Sequence, residues 1–214
     1  MKEKTFHRSS WLLPLAAVAL FTGMPAKASI IISVLSTTYA AGSSGDSFDV
    51  TIKNTGASAQ NIAAFSFGLS VADSHITFTG ANESTALTYL FNGDSFALAN
   101  PPFATLPTAQ SVEASDLSNG GAGTSIAANS AVTFGLGHIL FSVAGNASAG
   151  PIAVTLATSC GAPLCSSLSD SSGANVPFTV SNGTITVTTS GVPEPSSFLL
   201  ALGLLPIIAW RRKK

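Results

Sequence analysis

From Ala131 to Leu156 the chain reads AVTFGLGHILFSVAGNASAGPIAVTL. Apolar residues alternate with polar or small ones through FGLGHILFSV and again through PIAVTL, and a glycine-bearing step, Gly145 to Gly150, separates the runs. A period of two sends successive side chains to opposite faces, so each run predicts a strand with one face in a core. The step between them supplies the backbone freedom for a reversal.

The same pattern continues in both directions. IIISV from Ile30, SFDVTI from Ser47, IAAFSFGLSV from Ile62, HITFT from His75, and VPFTV and TITVT near the end all read as strands. Turn residues separate them at Gly42 to Gly45, Asn54 to Ala57 and Asn119 to Gly123. Asn182-Gly183 predicts a two-residue hairpin between FTV and TITV. No segment carries a helical stripe over three turns. About eight short strands with Gly-rich turns predict an all-β body, a β-sandwich over residues 29–190. Glu83 to Gly123 is less regular and contains Asn100-Pro101-Pro102, which predicts a long loop region with one or two edge strands.

Four pieces of this body carry a family likeness: GDSFDVTIKN from Gly45, NIAAFSFGLSVADSHITFTG from Asn61, LGHILFSVAGNASAGPIAVTL from Leu136 and NVPFTVSNGTITV from Asn175. Their order resembles the cohesin-type module, in which a Gly-Asp turn opens a strand and a short acidic turn precedes an xxFTG step. The resemblance implies a cohesin-like β-sandwich of the jelly-roll type. Cohesins bind dockerin modules to assemble cellulases, and a fold carries over between proteins more readily than a partner does.

The two ends read as addresses. MKEKTFHRSS is a short basic opening, WLLPLAAVALFTGM an apolar run, and Ala26 and Ala28 form an A-x-A site with cleavage expected after Ala28. Residues 1–28 are thus read as a secretory signal peptide. At the other end Pro193 and Pro195 favour extended backbone ahead of an apolar run, Ser196 to Trp210. As a helix that run spans roughly 22 Å, short for a hydrocarbon core of about 30 Å. Arg211, Arg212, Lys213 and Lys214 follow it and orient it with the C-terminus on the cytoplasmic side.

Val192-Pro193-Glu194-Pro195, the apolar run and the closing basic residues together resemble the PEP-CTERM sorting signal. The resemblance implies recognition by exosortase in a Gram-negative bacterium that makes exopolysaccharide. It makes residues 191–214 a sorting tail, with a transmembrane helix at 196–210. The expected route runs through the secretion machinery and an inner-membrane intermediate to the cell surface or extracellular space.

Charge is segregated between these parts. From Ser29 to Gly191 the chain holds eight acids and a single base, Lys53, leaving a net charge of about −7. Such a body cannot neutralise a phosphate backbone, which excludes nucleic acid as a partner. Cys160 and Cys165, spaced C-GAPL-C in an exported chain, are expected to form a local disulfide. A zinc site would need more ligands, and His75 and His138 fall on separate strands. Asp46, Asp49 and Asp73 sit near turns and offer oxygen ligands for Ca²⁺, but without a D-x-D-x-D-G loop they read better as solvated turn carboxylates.

No G-x-S-x-G occurs, and eight scattered acids give no reason to single out a carboxylate pair, so no enzyme and no cofactor is expected. Thr184, Thr186 and Thr188 place threonines on one face of a strand, the pattern of some ice-binding surfaces, but one strand makes no array. The expectation is an exported surface or matrix protein with a structural or binding role beside exopolysaccharide in a biofilm. The alternative is a specific carbohydrate- or protein-binding module, with Tyr89 or Phe91 as exposed aromatic contacts. A glycan hydrolase and an ice-binding protein rank behind both.

Overall fold

A computed structural model describes residues 30–161 and 164–189. The signal-peptide, sorting-tail and membrane-helix readings fall on residues outside that range. Among the described residues no helix is long and apolar enough to cross a membrane.

Two sheets face each other. The first has the order β13-β1-β3-β10-β6, built from β1 (Ile30–Val34), β3 (Ser44–Asn54), β6 (Ile76–Asn82), β10 (Phe134–Val143) and β13 (Phe178–Ser181). The second has the order β2-β14-β11-β5-β8-β7, from β2 (Thr37–Ala40), β5 (Ala64–Val71), β7 (Ala104–Thr108), β8 (Ser111–Leu117), β11 (Gly150–Leu156) and β14 (Gly183–Thr188). The short β12 (Ser167–Ser169) also pairs with β5, beyond the reach of β11. A separate ribbon joins β4 (Gln60–Ile62) to β9 (Thr124–Ile126), and α1 (Phe96–Ala99) is a single helical turn.

Alternation explains the core. Ile30, Ile32 and Val34 of β1, Phe48, Val50 and Ile52 of β3, and Ile139, Phe141 and Val143 of β10 point inward from the first sheet. Phe65, Phe67 and Leu69 of β5, Val112 of β8, Val154 of β11 and Ile185 of β14 meet them from the second. Burying one such aliphatic or phenyl side chain stabilises the fold by about 1.5 to 3 kcal/mol. β10 changes register between Gly135 and Gly137, a bulge that the stretch FGLG permits. A Cβ on Gly137 would lie 2.7 Å from the Phe67 ring of the opposite sheet, so glycine there sets the close approach of the two layers.

Two expectations are corrected. Asn182-Gly183 makes no hairpin: β13 pairs in parallel with β1 in the first sheet, while β14 pairs with β2 and β11 in the second. The chain switches sheets at this point, as it does between β1 and β2. Gly183 serves packing, since a Cβ there would meet Val34 Cγ1 at 2.6 Å. The region from Glu83 to Gly123 is also more ordered than a loop with edge strands, because β8 lies between β5 and β7. Asp116 on the inward face of β8 is what hides this strand from a hydropathy reading.

Candidate functional site

The outward face of the second sheet is broad, small-chained and hydroxylic. Ser70 of β5 pairs with Thr155 of β11 and with Ser111 of β8, which in turn pairs with Thr108 of β7. A second row runs Ser167, Ser66, Ser115 across β12, β5 and β8. Glu113 of β8, opposite Gly68, is its charged residue. On the other side of β11, Thr184 and Thr186 stand against Ala153 and Pro151, and Thr186 also pairs with Thr38 of β2. The threonines of β14 thus have mixed neighbours rather than further threonine rungs.

One feature stands up from this face. The chain leaves β11 at Leu156 and returns as β12 at Ser167, with Ala157 N donating to Gly68 O at 2.9 Å and Gly68 N donating to Ser166 Oγ at 3.1 Å. Between the two strands Cys160 and Cys165 are joined, as expected from their spacing. Leu164 lies over Gly68, where an added Cβ would come within 2.7 Å of Leu164 Cβ. Ser66 Oγ sits 3.3 Å from Cys165 Sγ and 2.9 Å from Ser167 Oγ, which ties the returning strand to the sheet. Leu164 and the Cys160–Cys165 bridge are therefore seated on the middle strand of the face. An isolated glycine inside a strand marks such an approach in the sequence, and Gly68 is that signal.

At the far end of β5 and β8 the segment 83–103 closes the mouth of the sandwich. Tyr89, Phe91 and Phe103 join Phe65 in an aromatic cluster with ring centroids 5.6 to 6.4 Å apart. This overturns the reading of Tyr89 and Phe91 as exposed contacts: they are 7% and 1% exposed, because the segment turns them inward to fill the space between the sheets. Asp116 anchors them. Its carboxylate accepts from Tyr89 OH at 2.6 Å, Ala97 N at 2.8 Å and Leu117 N at 2.7 Å. Burial, followed by the Asp116 carboxylate, pushes the Tyr89 phenol far above its ordinary range and keeps it a neutral donor.

The remaining sequence candidates separate. Asp49 is 4% exposed and accepts from Ala86 N at 2.7 Å, with His138 Nδ1 also at 2.7 Å. Asp73 pairs with His75 Nδ1 at 2.7 Å, and the His75 backbone N–H followed by its side chain holds the Asp73 carboxyl below its usual range. Asp46 accepts from Ser43 Oγ. Asp46 and Asp49 are buried rather than solvated, which corrects that reading for these two of the three. Among the described residues no three His, Cys, Asp or Glu side chains converge as a metal site would require. Neither histidine is hydrogen-bonded to a serine among the described residues.

Neither a protein-family model nor a curated protein matches the sequence. Solved structures do match the described body. The sixth cohesin from scaffoldin B of Acetivibrio cellulolyticus, solved in complex with a Cel5 dockerin mutant, superposes with a TM-score of 0.56 at 12% identity, covering 74% of this chain and 99% of that one. CaCohA2 from Clostridium acetobutylicum gives 0.54 at 20% identity, covering 78% and 95%. A non-cellulosomal cohesin from the archaeon Archaeoglobus fulgidus gives 0.51 at 16%, covering 77% and 94%. The body of this chain has the cohesin fold, an all-β sandwich whose second sheet leaves a broad outer face open.

Proposed function

We propose that this protein is a non-catalytic binding module that engages a dockerin-like partner through the outer face of β11, β5, β8 and β7. The observation that carries the reading is that face itself: a hydroxylic sheet surface on a cohesin fold, with Leu164 raised at its centre. Serine and threonine lose little side-chain entropy on burial and offer both donors and acceptors, so a partner can cover them at low cost. Leu164 supplies an apolar contact among them. Calorimetry of the full chain against a panel of dockerin modules is the test. At least one should bind saturably at 1:1, and Ser115→Arg on the face should abolish binding while Thr179→Arg on β13 of the first sheet leaves it intact. Saturable binding to glycans alone, or equal binding by both variants, would replace this reading.

The ends support a second, separate proposal about delivery. Residues 1–28 act as a signal peptide cut after Ala28, and Val192-Pro193-Glu194-Pro195 with the run 196–210 and Arg211 to Lys214 act as an exosortase-read tail that brings the body to the surface or an exopolysaccharide matrix. The segregation of nearly all positive charge into the two ends supports it. Mass spectrometry of the mature protein should find a chain starting at Ser29 and ending near Pro195; an intact terminal RRKK would overturn the processing step.

A further inference from the structure

The segment between β6 and β7 presents a surface of its own. Seven large apolar side chains are exposed among the described residues; three of them, Leu87, Phe96 and Leu98, lie in this segment, and Leu117 at the end of β8 lines a cleft with Phe96. Phe96 and Leu98 both project from α1, Leu98 with 71% of its surface open. α1 forms a ridge between two clefts. One, of about 340 Å³, is walled by Phe96, Pro102 and Leu117 with Asp116 at its inner side. The other, of about 230 Å³, lies beside Leu98 and is bordered by Glu83.

Neither carboxylate has a cationic partner. Asp116 is buried and its oxygens are taken by three neutral donors, so Glu83 is the carboxylate left open to a partner, and the only lysine or arginine among the described residues, Lys53, stands on β3 of the opposite sheet. An apolar ridge beside the partly exposed Glu83 carboxylate, on a body of net charge about −7, has a definite complement. We propose that α1 and the clefts beside it dock a basic amphipathic segment of a partner protein, whose apolar side chains pack on Phe96 and Leu98 and whose lysines or arginines reach Glu83. Such side chains lay an aliphatic stem along an apolar wall and carry the charge to its end, which the placing of Leu98 and Glu83 on one cleft suits. A second copy of the body, itself near −7, would be repelled, as would an acidic segment or an anionic membrane. The proposal holds whether or not the sheet face binds a dockerin.

The test uses the full chain and a labelled Leu/Lys amphipathic peptide of about 14 residues, long enough for some four helical turns, with a Leu/Glu counterpart, read by fluorescence anisotropy. The Leu/Lys peptide should bind saturably, and the Leu/Glu peptide should not. The double variant Phe96→Ser/Leu98→Ser, altered only at exposed positions, should weaken binding about tenfold. Glu83→Gln should weaken it about threefold, and Val132→Ser, at an exposed apolar position that lines neither cleft, should leave it unchanged. Undiminished binding by the double variant, equal binding of both peptides, or no saturable binding would overturn the proposal.

Discussion

The segment joining β6 to β7 is tied to each sheet by a buried aspartate, and the two ties are built differently. On the second sheet Asp116 gathers three neutral donors, two of them from the segment, Tyr89 OH and Ala97 N. On the first sheet Asp49 takes Ala86 N and shares its other oxygen with His138, whose side chain keeps 26% of its surface open. The inner tie depends on exclusion of water and on exact partners, so losing one group strands the others. The outer tie has a solvent-accessible member, and water can replace part of what is lost. One segment thus has a rigid end beside α1 and a more forgiving end beside Asp49.

Asp116→Ala should break the comparison most sharply. It leaves Tyr89 OH, Ala97 N and Leu117 N without their acceptor and should cost about 3 to 5 kcal/mol in urea denaturation. Asp49→Ala strands Ala86 N in a less enclosed place and should cost about 1.5 to 3 kcal/mol. If the two losses were equal, the distinction between the ties would fail.

Tyr89→Phe should cost about 1 kcal/mol near neutrality, where it removes one hydrogen bond. It also has a pH signature. Tyr89 is raised in the folded state, so its contribution is complete below the unfolded tyrosine pKa of about 10 and is lost as pH rises beyond it. Denaturation midpoints should therefore fall between pH 8 and pH 11 more steeply in the wild type than in Tyr89→Phe, both proteins retaining Tyr39. His138→Ala should give the smallest effect, about 0.5 kcal/mol, since the ring is partly exposed and Asp49 keeps Ala86 N.

The strands β10 and β11 could be read directly, because alternation is a local property and the core selects the same face, although the step between them carries the chain from the first sheet to the second. The Asn182-Gly183 step could not: its hairpin chemistry is local, but Val34 packs against Gly183 and the chain continues into the other sheet. β8 was hidden because an inward aspartate interrupts its apolar alternation, and only the donors brought by Tyr89 and Ala97 make that burial tolerable. The same contacts explain why two aromatics expected at the surface are core residues. At the candidate face the disulfide was legible from its spacing, while the seat of Leu164 on Gly68 depends on β12 returning to β5, a pairing that no short motif specifies.

The most direct test of the proposed face is an amide chemical-shift map of the full chain titrated with a dockerin module that it binds. The account expects the changes to centre on Ser66, Glu113, Ser115 and Thr155, with Leu164 included. Changes centred instead on Ile31, Lys53 and Thr179 of the first sheet would contradict it.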